Sequence, residues 1–202
     1  VGKRAIGDID YDEARNTLWF INLADRRLHG IKNVNPNVTP VAADLVRDAS
    51  NNLGFAVNTS AGITCTNGVL RPWGIEIYKG EVYVGAVCSG ENAGATAANL
   101  TAYVLKLNPD NPAAGFSQVV SLPLNYTRTA AWNGGANPWE PWRNSDSLTA
   151  AAAVAANSIP QPIVSDIEFD NDGSIILGLR DRWGDQATTN QYGPDSAQTS
   201  TT

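Results

Sequence analysis

Methionine is absent from the 202 residues, histidine occurs once, and cysteine twice. A chain with no initiating methionine and no signal peptide reads as a mature or excised piece of something longer. The single histidine, His29, is the only imidazole that a Ser–His–Asp arrangement could use, and no Gly-x-Ser-x-Gly turn accompanies it. It lies between Leu28 and Gly30 on a strand and reads as a surface residue or one between repeat units. Basic residues are also few. Fourteen Lys and Arg stand against 20 Asp and Glu, giving a net charge of -6. Nucleic acid is thereby excluded as a partner, since phosphate binding needs clustered cations. A polybasic membrane-surface patch is excluded for the same reason. No apolar run approaches the ~20 residues that a membrane helix requires, so no membrane insertion is expected. P-loop and Rossmann glycine patterns are missing, which leaves nucleotide chemistry without support. Charged residues make up 17% of the chain and apolar ones 43%, the balance of a globular domain.

The two cysteines sit in different settings. Cys65 lies in a polar Thr/Asn/Gly loop, and Cys88 ends an apolar run. Neither has a CxxC partner or a nearby histidine, so a zinc or thiol-redox site is not expected. A Cys65–Cys88 disulfide would close a loop of moderate size and contribute roughly 3 kcal/mol. Two unpaired thiols are the alternative. The abundance of Asn, Thr, Ser, Gly and Ala, with few Lys, favours the disulfide and an extracellular setting.

What the chain does contain is one short pattern written three times. It reads Gly7-Asp8-Ile9-Asp10-Tyr11, Trp73-Gly74-Ile75-Glu76-Ile77 and Ser165-Asp166-Ile167-Glu168-Phe169. Each copy is followed by a polar turn and a second apolar run: Thr17–Ile21, Glu81–Gly85 and Ser174–Gly178. Period-2 alternation broken by turn residues predicts antiparallel meanders. Lys79-Gly80 and Asp170-Asn171-Asp172-Gly173 are hairpin turn signals. Repetition of such units marks a repeat architecture. The expected fold is therefore all-β, with about three four-stranded antiparallel units over residues 6–66, 71–127 and 162–185. Within 1–185, residues 128–161 form a Trp-rich loop insertion ending in an Ala-rich run, at best a short surface helix. Residues 186–202 read as a polar linker or tail.

These units resemble blades of a β-propeller. Arg71-Pro72-Trp73-Gly74-Ile75 followed by Val82-Tyr83-Val84 is similar to the NHL-type blade. Leu122–Arg128 and Ser165–Gln186 resemble a bacterial extracellular or surface family, often found in chains with Sdr-type or Cna-B-like repeats. The resemblance implies a partial propeller at a bacterial surface and supplies no assigned chemistry. Propellers close with about 4–8 blades. Three visible blades imply a fragment, a ring completed by sister chains, or a degenerate fourth blade in residues 38–66. The expected partners are the remaining blades or sister chains.

Two constellations are candidates for function. Asp10, Glu76 and Glu168 recur at one position and would converge at a propeller axis. There they could bind Ca²⁺ as a cofactor, or else bond the backbone N–H groups of neighbouring blades. Trp132, Trp139, Trp142 and Arg143 lie among Gly, Asn and Pro, where the aromatics could meet a glycan or protein ligand, or else fold back as a lid on the core or the disc face. With no nucleophile–base pair in the sequence, the expected function is a non-enzymatic structural, adhesive or ligand-binding module of a larger surface protein, without a cofactor. The alternative is a metal-dependent hydrolase or lactonase of the gluconolactonase-like propeller type.

Overall fold

The computed structural model describes residues 2–57, 62–126, 138–143, 160–182 and 185. Among the described residues, ten strands form three antiparallel sheets, each a meander of consecutive strands. Sheet 1 holds β1 (Ile6–Asp12), β2 (Thr17–Asn22), β3 (Arg27–Lys32) and β4 (Phe55–Ala56). Sheet 2 holds β5 (Leu70–Tyr78), β6 (Glu81–Cys88), β7 (Thr101–Leu107) and β8 (Ser117–Pro123). Sheet 3 pairs β9 (Pro162–Phe169) with β10 (Ile175–Asp181).

The threefold sequence pattern is a threefold register. Asp10 pairs with Trp19, Glu76 with Tyr83, and Glu168 with Ile176, so the same position faces the same neighbour in each sheet. The β5–β6 turn places Lys79 at φ 50° and Gly80 at φ 78°. Two consecutive positive φ values suit the right-handed twist of the strands that the turn joins. Residues 38–66 hold no separate sheet among those described. Val41–Val46 forms a 3-10 turn at Ala42–Asp44 and an isolated Leu45–Ile31 bridge, while Phe55–Ala56 closes sheet 1. The Ala-rich run and the tail from 186 lie outside the described residues.

The sheets stack in chain order, with sheet 2 in the middle. Alternation along β6 divides its side chains between two cores. Val82, Val84 and Ala86 join Trp19, Ile21 and Leu28 of sheet 1, whereas Val87 joins Ile163, Val164 and Ile167 of sheet 3. Each sheet therefore has a leading face toward the sheet before it and a trailing face toward the sheet after it. Two glycines set the spacing between sheets 2 and 3. A Cβ at Gly85 would lie 2.4 Å from Val164 Cγ1, and one at Gly74 would lie 3.0 Å from the Asp166 nitrogen. Side chains at either position would push the sheets apart.

Candidate functional site

The edge strands β1, β5 and β9, which neighbour one another between sheets, carry the recurrent acids, and their roles differ from sheet to sheet. Asp8 accepts the Ile75 N–H at 3.0 Å, and Asp10 accepts the Ile77 N–H at 2.9 Å. The second oxygen of each carboxylate takes the N–H of its own following residue, Ile9 or Tyr11. Sheet 1 is thus clamped to sheet 2 by two charge-assisted bonds aimed at backbone N–H groups, a strong class of hydrogen bond. Between sheets 2 and 3 the pattern changes. Gly74 replaces the first acid and lets the backbones approach directly.

Glu76 makes no hydrogen bond with the described residues. Burial, together with the negative charges of Asp10, Glu168, Asp166 and Asp8, pushes its carboxyl up to about 7. Asp8 is also raised, mainly by burial, against the opposing pull of the Ile75 and Ile9 N–H groups. Asp10, Glu76 and Glu168 therefore share one electrostatic neighbourhood. Among the described residues, however, no group of three or more His, Cys, Asp or Glu side chains is arranged to hold a metal ion. Both Asp10 oxygens are already engaged by amides.

A pH dependence follows from Glu76. Its folded value lies above the usual 4.5, so between about 4.5 and 7 the folded chain keeps a proton that the unfolded chain releases. That contribution to stability is complete below 4.5 and is lost as pH rises through 7. Urea denaturation should show stability falling by on the order of 1 kcal/mol between pH 5 and 8, because solvent screens much of the effect at this half-exposed group. Glu76→Gln should flatten that slope and raise the pH 8 midpoint.

Residues 138–143 form a strap packed against the sheets. Trp139 and Trp142 are each only 2% exposed, so both indoles fold back onto the core. The Trp142 backbone N–H reaches the Ser89 carbonyl at 2.9 Å, and its indole N–H reaches the Pro162 carbonyl at 2.8 Å. The Arg182 guanidinium lies 4.8 Å from its ring centroid, and that of Arg71 lies 5.9 Å away. Trp139 donates its indole N–H to the Tyr126 hydroxyl at 3.2 Å. Both indoles bury their area with their N–H groups satisfied, a more favourable arrangement than solvation. The backbone N–H of Arg143 is held by Gln161 Oε1. Trp132 lies outside the described residues.

Beside the strap is a cluster that the sequence did not announce. Glu91 accepts from Arg71 Nε and Nη2 at 2.9 and 2.7 Å, from Lys3 Nζ at 3.0 Å and from Ser89 Oγ at 2.9 Å. Burial pushes its carboxyl up, but these donors outweigh burial and hold it at about 2. The only sequence signal was a lone acid in a Gly/Ala/Asn loop. Glu91, Asn92, Glu140, Trp142 and Arg143 line a polar cleft of about 360 Å³.

The remaining candidates are structural. Cys65 and Cys88 form the disulfide, with Cα atoms 5.2 Å apart. His29 Nε2 lies 2.9 Å from Asp25 Oδ2, and the ring stacks on Phe20. In the Asp170–Ser174 turn, Asp170 and Asp172 accept local N–H groups, as a hairpin requires. No helix among the described residues is long and apolar enough to cross a membrane.

Comparison with known proteins places the chain outside the expected bacterial setting. It is 28% identical over 194 residues to Colossin-C of Dictyostelium discoideum, covering 92% of this chain and 16% of that protein. It is 32% identical over 124 residues to Colossin-A of the same organism, covering 58% of this chain and 1% of that protein. The chain thus spans a small part of the length of each relative. No family model matches, and neither does any solved structure. The resemblance to a bacterial surface family is overturned by these eukaryotic relatives. Blade-like patterning arises wherever strand–turn–strand units repeat, so it carries architecture across lineages and not origin.

Proposed function

We propose that this chain is a non-enzymatic structural or adhesive module of a larger extracellular protein, built as a partial β-propeller. One observation carries the reading: the recurrent acids of β1 are engaged in clamping the next sheet through the Ile75 and Ile77 N–H groups. Such carboxylates hold a stack together. The disulfide supports an oxidising, extracellular setting. The share of each relative that matches supports a modular role. The repeated register and the adjacency of the edge strands β1, β5 and β9 support the propeller architecture. Glycan or protein contact is assigned to the cleft between Glu91 and Arg143, next to the strap.

Elemental analysis of the purified chain, paired with lactone and ester hydrolysis assays, tests this reading. The expected result is no stoichiometric metal and no turnover. Metal-dependent turnover that disappears in Glu168→Gln would establish the hydrolase alternative instead.

A further inference from the structure

Two walls enclose the cleft beside the strap, and backbone bonds fix both of them. One wall is the turn that follows β6. There the Ser89 N–H bonds the Val69 carbonyl at 3.0 Å, and the Asn92 N–H bonds the Asn67 carbonyl at 2.9 Å. The Cys65–Cys88 disulfide ties the loop that supplies those two carbonyls to the end of β6. The other wall is the strap. The Glu140 N–H reaches the Pro160 carbonyl at 2.8 Å, and the Arg143 N–H reaches Gln161 Oε1 at 3.1 Å. The buried Trp142 pins the stretch between them. A cleft with walls held in this way gives up little conformational freedom when it is filled.

The polar side chains that line it divide into engaged and available groups. Glu91 is engaged, since Arg71, Lys3 and Ser89 all donate to it. Asn92, Glu140 and Arg143 also line the cleft, and their side chains make no hydrogen bond or ion pair with the described residues. Glu140 and Arg143 are half-buried and three positions apart, yet they do not pair with each other. A carboxylate, a carboxamide and a guanidinium thus remain available around one cavity. Its volume of about 360 Å³ falls among small-molecule sites, which run from roughly 300 to 1,000 Å³. The apolar lining is small, as at Ala93, Ala95 and Pro141, which suits a ligand rich in hydroxyl groups better than a hydrocarbon. Charge narrows the class further. With the two cations that hold Glu91 included, Lys3, Arg71 and Arg143 stand against Glu91 and Glu140, a local positive excess in a chain of net charge -6.

We infer that this cleft binds a sugar residue that carries a carboxylate, of the uronic acid kind. This rests on the contact role proposed for the cleft above. The Arg143 guanidinium takes the ligand carboxylate, which its planar fork can meet with two parallel bonds. The Glu140 carboxylate accepts from ring hydroxyl groups, and the Asn92 carboxamide donates to one oxygen and accepts from another hydroxyl. The small side chains at 93 and 95 leave room for the C–H face of the ring. A neutral sugar would leave Arg143 without its partner, and an amino sugar would add a cation where cations are already in excess. Selectivity for the acid follows from both.

Titration of the isotope-labelled chain with methyl β-glucuronide, followed by amide chemical shifts, tests it. Saturable shifts are expected in residues 90–95 and 138–143. Methyl β-glucoside and methyl β-glucosaminide, run in parallel, should bind at least about tenfold more weakly, as loss of a paired charge-assisted contact requires. Arg143→Gln should weaken glucuronide binding by a similar factor and abolish the preference for the acid. Glu140→Gln should weaken binding of the glucuronide and the glucoside alike. Neither side chain belongs to a core, and an unchanged amide spectrum away from the cleft shows that each variant is folded. The absence of saturable shifts overturns the inference. So does equal affinity for the glucuronide and the glucoside, or glucuronide binding that survives Arg143→Gln. Equal affinity would leave a glycan contact at the cleft in place, and none of these outcomes touches the absence of turnover on which the module reading is tested.

Discussion

Trp142→Ala should lower the unfolding free energy by about 3–5 kcal/mol, the cost of truncating a large buried aromatic. The indole fills the junction between the end of β6 and the start of β9, where its N–H is bonded to the Pro162 carbonyl and the Trp142 backbone N–H to the Ser89 carbonyl. Its removal leaves a cavity and takes away the ring that the Arg71 and Arg182 guanidinium groups face. Urea denaturation followed by circular dichroism measures the change. A tryptophan whose task was to stack on a ligand would behave otherwise, since surface substitutions usually stay within about 0.5 kcal/mol. A stability change that small would show that the strap is not structural. Trp142→Phe retains part of the ring volume but loses the bond to Pro162, so its loss should be intermediate.

Removal of the disulfide is the second large effect. Cys65 and Cys88 are 23 positions apart, and closing a loop of that size stabilises by about 3 kcal/mol in the chain-entropy view. For a chain of this length, that corresponds to a fall in Tm of roughly 6–12 °C. The double variant Cys65→Ser/Cys88→Ser, compared with the oxidised wild type by calorimetry, gives the number. Intact mass without reductant should show the wild type lighter by two hydrogens. A change in Tm within error would mean that the loop before β5 is already held without the bridge. The sulfur of Cys88 lies in the core beside Ala86 and Leu70, so the substitution also places a hydroxyl in apolar surroundings.

The fold was legible because period-2 alternation and turn chemistry act locally. Ile75, Ile77, Val82 and Val84 announce a buried hairpin without reference to anything distant, and Lys79-Gly80 names its turn. The weakest strand, Phe55–Ala56, escaped because two residues carry no period. The candidate sites were legible only in part. Three copies of the acid at one position signalled a shared role, and the option of bonds to a neighbouring N–H described what Asp10 does. That Glu76 makes no such bond with the described residues is not encoded by any local pattern, since its neighbours Asp8, Asp10, Asp166 and Glu168 come from other sheets. Trp139 and Trp142 were harder still. In sequence, a polar Pro/Gly setting allows both an exposed loop and a lid folded onto the core. Burial there comes from Ser89, Pro162 and Gln161, which lie far from the strap along the chain or across a sheet boundary.

Because every sheet is a meander of consecutive strands, most pairing partners are close in sequence, which favours early and local folding. Synthesis delivers the stack in its spatial order. Residues 6–56 complete sheet 1 before β5 emerges, and that sheet already holds Asp8 and Asp10 on its trailing side. In the folded chain that side presents two acceptors at the spacing of the Ile75 and Ile77 N–H groups. The bridge between Cys65 and Cys88 becomes available as soon as β6 has emerged, before any of sheet 3 exists.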